Sequence, residues 1–220
     1  VKALGKFKGG VATEALERFL KTDASPLVQY EAGWALGKVK ASGVFEVLTG
    51  SLGKRESWHD YYDRGILQGL SELKWDDRVL PHLAKYVELG HSMFTRREAV
   101  AAIANYGSAR PSMVVETLRD LVRDKNFFVR LSAIDALVGL GDSSVASELM
   151  RISDTVVEPR TRRSALVGAK ALREGKTKNE DIEKLKTDFD RLREQYAAML
   201  SRLDKIEGVP KETAAKENIV

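Results

Sequence analysis

The chain has 220 residues, 43% of them hydrophobic and 31% charged, which is enough apolar material for one or two globular domains. The charges nearly cancel, at a formal net +4, so a nucleic-acid surface is permitted but not indicated. Cysteine is absent, which excludes disulfides and thiolate metal sites and fits a reducing, cytoplasmic setting.

No run of about 18 apolar residues occurs, so no membrane-spanning helix is expected. No basic-then-apolar leader follows Val1, so no signal peptide is expected either. The first stretch, "VKALGKFKGG", matches only the last third of a helix that returns downstream. A solenoid needs a polar end cap, so this half-helix points to a truncated first repeat and to further sequence upstream.

The fuller copies follow in order: "VQYEAGWALGKV" (28–39), "YDRGILQGLSEL" (62–73), "TRREAVAAIANYG" (95–107), "VRLSAIDALVGLG" (129–141) and "TRRSALVGAKAL" (161–172). One anchor recurs at Leu4, Leu36, Leu70, Ile103, Leu137 and Ala169, with spacings of 32 to 34. A period in that range marks stacked repeats. Around each anchor, apolar and small residues fall at helical spacing and form one buried face. Ala32, Ala99, Ala133 and Ala165 stand in mid-face, where a neighbouring helix must come close.

Second apolar-periodic stretches lie between the copies: "FEVLTGSL", "RVLPHLAKYV", "VVETLRDLV" and "VASELMRI". Turn signals separate them at 23–26 ("DASP"), 141–142 ("GD") and 158–159 ("EP"). Each repeat is therefore a helix pair. Period-two strand patterning is missing. The sequence predicts an all-α solenoid of about five helix pairs over 1–175, with a period of about 33.

The period changes near the end of the chain. Ile182, Leu185, Phe189, Leu192, Tyr196, Met199, Leu203 and Ile206 alternate steps of three and four, a heptad seam. A long helix over 179–207 follows, begun by acids and stopped by Gly208 and Pro210. It either caps the last repeat or forms a homodimeric coiled coil. Leu166 and Leu172 of the preceding helix are expected to be exposed and to offer it a seat. Residues 208–220 carry little apolar surface and read as a disordered tail.

Catalytic groups are sparse. The histidines are His59, His82 and His91, with no pair at i, i+4, so no helix-borne zinc site is present. No glycine-rich phosphate loop joins a strand to a helix. His82 reads as a packing or surface residue. No catalytic, metal or cofactor site is expected within these residues.

The side chains beside the apolar stripe form rows along the repeat axis. Six positions before each anchor stand Tyr30, Arg64, Arg97, Leu131 and Arg163. Two before it stand Trp34, Gln68, Ala101, Asp135 and Val167. Mixtures of arginine and aromatic residues are common at protein interaction hot spots. The candidate groove residues are Tyr30, Trp34, Arg64, Gln68, Arg97 and Arg163, with Trp34, Arg64 and Arg97 expected to be exposed. Read structurally, the same rows would tie repeats together. The adjacent row of Arg96, Arg130 and Arg162 is expected to link neighbouring repeats, and Trp58 and Trp75 to staple them from turns.

The stretch "DKNFFVRLSAIDALVGLG" (124–141) resembles the short form of the HEAT repeat; the ankyrin and tetratricopeptide patterns are missing. In HEAT arrays the motif-bearing helix is the inner one and lines the concave surface. More specifically, "SWHDYYDRGILQGLSELKWDDRVLPHLAKYVELG" followed by "RREAVAAIANYG" resembles the C-terminal HEAT region of microbial zinc aminopeptidases of the aminopeptidase N family. The matching residues are Ser57, Trp58, Arg64, Gly65, Leu67, Gly69 and Leu70. The resemblance implies that zinc ligands and peptidase residues lie upstream of Val1, and that this chain is a non-catalytic part scaffolding or restricting access to its own catalytic domain. The alternative is a free-standing HEAT adaptor holding a protein or nucleic acid in its groove.

Overall fold

The computed structural model describes residues 1, 5, 10–39, 41–175, 185–196 and 199. They belong to two units, Val1–Gly175 and Lys176–Val220. The described part of the first unit holds ten α-helices: α1 (Gly10–Thr22), α2 (Pro26–Val39), α3 (Val44–Ser51), α4 (Tyr61–Ser71), α5 (Val79–Lys85), α6 (Met93–Gly107), α7 (Ser112–Leu121), α8 (Phe127–Leu140), α9 (Ala146–Thr155) and α10 (Pro159–Glu174). No β-strand occurs among the described residues.

Local chemistry sets the boundaries. Pro26 opens α2 and Pro159 opens α10, positions that tolerate a residue with no N–H. The Ser92 hydroxyl accepts from the Thr95 amide at the start of α6. The Asn126 side chain accepts from the amides of Phe128 and Val129 at α8, and the Glu158 carboxylate from those of Arg160 and Thr161 at α10. Such caps satisfy amides that a helix start leaves orphaned. Gly141 and Gly175, with φ of 70° and 65°, end α8 and α10.

The even-numbered helices pack one on the next and form an inner layer. The odd-numbered helices lie outside them and barely touch one another. The result is a HEAT-like all-α solenoid. Its recurring anchors Leu36, Leu70, Ile103, Leu137 and Ala169 are all buried, as are Ala32, Ala99, Ala133 and Ala165. Each large anchor contributes about 1.5–3 kcal/mol by leaving water. Leu4 lies outside the described residues.

The α2–α4 crossing is the tightest in the layer. Gly33 and Gly37 on α2 face Gly65 and Gly69 on α4, and a Cβ added to Gly65 would lie 2.3 Å from the Tyr30 carbonyl oxygen. With no side chains between them the two backbones touch. The later inner helices use alanine in mid-face.

One expectation is corrected here. Leu172 is buried, at 4% exposure, and Leu166 is half-buried. Leu172 continues the stripe of Ala165, Gly168 and Ala169 at helical spacing, so it turns into the core.

In the second unit, residues 185–196 are helical, with Leu185, Phe189, Leu192 and Tyr196 exposed. Met199 is helical and exposed as well; the remainder of the heptad helix expected over 179–207, its capping or pairing role, and the tail at 208–220 lie outside the described residues.

Candidate functional site

Four of the six candidate groove residues lie on α2 and α4, and three of them converge on one carboxylate. Glu98, on α6, accepts from Arg64 Nε at 2.8 Å, from Gln68 Nε2 at 2.8 Å and from the Tyr30 hydroxyl at 3.3 Å. The Glu98 side chain is 11% exposed and that of Arg64 is 21% exposed. Charge-assisted bonds in such a site are the stronger kind. Burial first, and then the Glu98 charge, push the Tyr30 hydroxyl well above its usual range. The Arg64 guanidinium also lies 4.8 Å from the centre of the Tyr61 ring, which meets Tyr30 edge-on.

Trp34 is closed off in the same way. Its indole N–H donates to Glu72 at 3.0 Å, and the Lys38 ammonium sits 3.4 Å from the ring centre. Trp34 and Arg64 are therefore half-buried and partnered, against the expectation of free exposed side chains. The glycine contact draws α2 and α4 together and lets Trp34 reach Glu72 at the end of α4, whereas Arg64 is held from the other side by Glu98 of α6.

The other half of the face is different. Arg97, on α6, is exposed and meets only the Ser132 hydroxyl at 3.3 Å and the Phe128 ring at 5.5 Å among the described residues. Arg163, on α10, is exposed and makes no hydrogen bond or ion pair among them. Between the two stands half-buried Leu131 on α8, with Val167 and Phe128 exposed nearby. The Ser164 hydroxyl donates to Asp135 at 3.1 Å across α8 and α10.

The row of Arg96, Arg130 and Arg162 divides by role. Arg96 is buried and donates to the Val87 carbonyl at 2.7 Å and to both oxygens of Asp124, one at 3.1 Å. It thus joins the α5–α6 pair to the next. Arg130 and Arg162 donate to carbonyls of the turns just before their own helices and fix a local bend there, and the Arg130 charge also reaches Glu158 at the start of α10, helping to hold that carboxylate below its usual range.

Trp58 and Trp75 are exposed at 66% and 74%, so neither is buried between repeats. Trp58 begins a strained turn in which His59 and Asp60 both adopt positive φ, 50° and 55°. Such a conformation in non-glycine residues costs on the order of 1–3 kcal/mol each. The Thr95 hydroxyl donates to Asp60 at 2.7 Å, and Trp58, His59 and Phe94 stack in a row. The Arg110 guanidinium lies 5.3 Å from the centre of the Trp75 ring. His82 packs edge-on against Phe45. Among the described residues no three histidine, aspartate or glutamate side chains converge as a metal site.

Sequence reasoning missed Glu98. The available signal was its register: five residues before Ile103, where the neighbouring repeat carries Gly65 and leaves room for a carboxylate between Tyr30 and Arg64.

These helices define a class of helical-repeat solenoid. A family model described as HEAT repeats matches residues 92–173, from the α6 cap to the end of α10. Among solved structures, the complex of CpcE and CpcF of phycocyanin lyase from Nostoc sp. PCC7120 includes a chain similar at TM-score 0.49 and 20% identity, over 76% of this chain and 67% of that one. That likeness concerns the fold alone. No curated protein matches this chain. Neither the family match nor the structural likeness supports the resemblance to aminopeptidases.

Proposed function

We propose that this chain is a HEAT-type binding module that holds a protein segment on its inner-helix face, against α6, α8 and α10. One observation carries this reading. The polar side chains of the α2–α4 half are satisfied internally, whereas Arg97 and Arg163 flank exposed apolar surface and find no carboxylate among the described residues. Arginine beside aromatic and aliphatic side chains, open to be covered by a partner, is the composition of interaction hot spots. An aminopeptidase catalytic domain is one version of such a partner, and nothing beyond the sequence resemblance favours it.

Photo-crosslinking tests the assignment. A crosslinking residue at Leu131 or Val167 should give saturable adducts to one protein segment, and one at Val11, exposed on α1, should not. Adducts of equal yield from both faces would remove the reading.

A further inference from the structure

We infer that the segment held there is extended and acidic, with two carboxylates about six residues apart that bracket apolar side chains. This rests on the binding-face reading above and specifies its ligand.

Arg97, Leu131 and Arg163 occupy the same register on three consecutive inner helices, each six residues before its anchor. The contacts from Arg97 to Ser132 and from Ser164 to Asp135 show that these faces adjoin in that order. Packed helix axes lie about 8–10 Å apart, which puts the two guanidinium roots roughly 16–20 Å from each other. An extended chain advances about 3.3 Å per residue, so five or six residues span the gap. Side chains of an extended strand alternate faces. Carboxylates at i and i+6 therefore both point at the solenoid, and so do residues i+2 and i+4, which meet Leu131, Phe128 and Val167.

The carboxylate is indicated by charge. Arg97 and Arg163 lack an acidic partner among the described residues, and the acids beside them are engaged: Glu98 by three donors and Asp135 by Ser164. Arginine pairs with carboxylate through two parallel bonds. A nucleic-acid strand fits poorly. It offers a charge at every nucleotide, whereas this face holds two separated cations, with apolar surface and the exposed Asp135 carboxylate on the helix between them.

Fluorescence anisotropy on the full chain tests this with a labelled Gly-Glu-Ser-Leu-Ser-Leu-Ser-Glu-Gly peptide. Three comparators are used: the same composition with both glutamates adjacent, the version with lysine for glutamate, and a short single-stranded DNA. The spaced-glutamate peptide should bind at least about tenfold more tightly than each of them. The Arg97→Ala/Arg163→Ala variant should lose about that factor, and Arg64→Ala should not. Both substituted arginines are exposed, so folding is checked by an unchanged melt. The Arg97→Glu/Arg163→Glu variant should bind the lysine peptide instead, an exchange that misfolding does not produce.

Equal binding of the adjacent-glutamate peptide, a preference for DNA or a missing charge exchange would each overturn the inference. If Leu131 crosslinks to a protein segment lacking spaced carboxylates, the ligand chemistry is wrong and the binding face stands. If neither crosslinking nor peptide binding occurs, both fall.

Discussion

A methyl group placed on Gly37 would lie 1.9 Å from the carbonyl oxygen of Gly69. The obstacle is backbone, which cannot rotate away, so α2 and α4 must separate to admit a side chain. Gly37→Ala is expected to destabilise the fold by about 1–3 kcal/mol or more. Gly139→Ala, on α8 with nothing within 4 Å, is expected to stabilise it by about 0.4–1 kcal/mol. Thermal melts of the two variants check this. Similar shifts in both would contradict the close approach.

The same approach makes Tyr30 a reporter of Glu98. Burial and the Glu98 charge raise the Tyr30 hydroxyl above its ordinary value of 10.0. The neutral phenol is therefore favoured in the folded state. Its contribution is complete below pH 10 and is lost as pH rises from there through the folded-state value. Denaturant melts should show stability falling above pH 10. In Glu98→Gln the repulsion is gone, and UV-monitored titration should find Tyr30 ionising at lower pH than in the unchanged protein. No difference would mean that Glu98 does not reach Tyr30.

What could be read from the sequence, and what could not, follows from repetition. Leu36, Leu70, Ile103 and Leu137 are visible because burial recurs once per repeat and selects an apolar residue each time. Glu98 has no such recurrence: its register holds Glu31, Gly65, Ser132 and Ser164 in the other repeats, a mixture of residue types that no burial pattern selects. The glycine pairs 33/37 and 65/69 stand at i, i+4 on successive helices, a pattern for close packing, but their pairing depends on how the helices stack. Trp58 reads as a staple because tryptophan usually seeks burial. It stands exposed beside the left-handed backbone at His59 and Asp60, a conformation that residue type alone does not disclose.

Substitutions at Trp34, Arg97 and Leu137 separate partnered, free and core positions. Leu137→Ala should cost about 2–5 kcal/mol, because it opens a cavity beneath the inner layer. Arg97→Ala should stay within about 0.5 kcal/mol, since the residue is exposed and lightly bound. Trp34→Ala falls between, at about 1–2 kcal/mol, because it removes half-buried ring surface and the bond to Glu72. Urea melts give all three values. A Trp34 variant as benign as the Arg97 variant would show that the α2–α4 seam is looser than described.

The buried pair of Arg96 and Asp124 should govern acid sensitivity. The side chains are 5% and 9% exposed. Burial alone would raise Asp124, but the Arg96 guanidinium and the Asn126 amide hold it below its ordinary value of 3.8. A depressed carboxylate stabilises the fold above its unfolded value, and that contribution drains away as pH falls from about 3.8 toward the folded value. Arg96→Ala leaves Asp124 buried without its cation and should cost about 3–5 kcal/mol at neutral pH. Arg96→Met with Asp124→Leu replaces both charges by apolar volume, which is often neutral or better for buried pairs. The double variant should recover most of the loss and, in urea melts at pH 7 and pH 3, should lose less stability on acidification than the unchanged protein. An equal loss in both would locate the acid-sensitive carboxylate elsewhere.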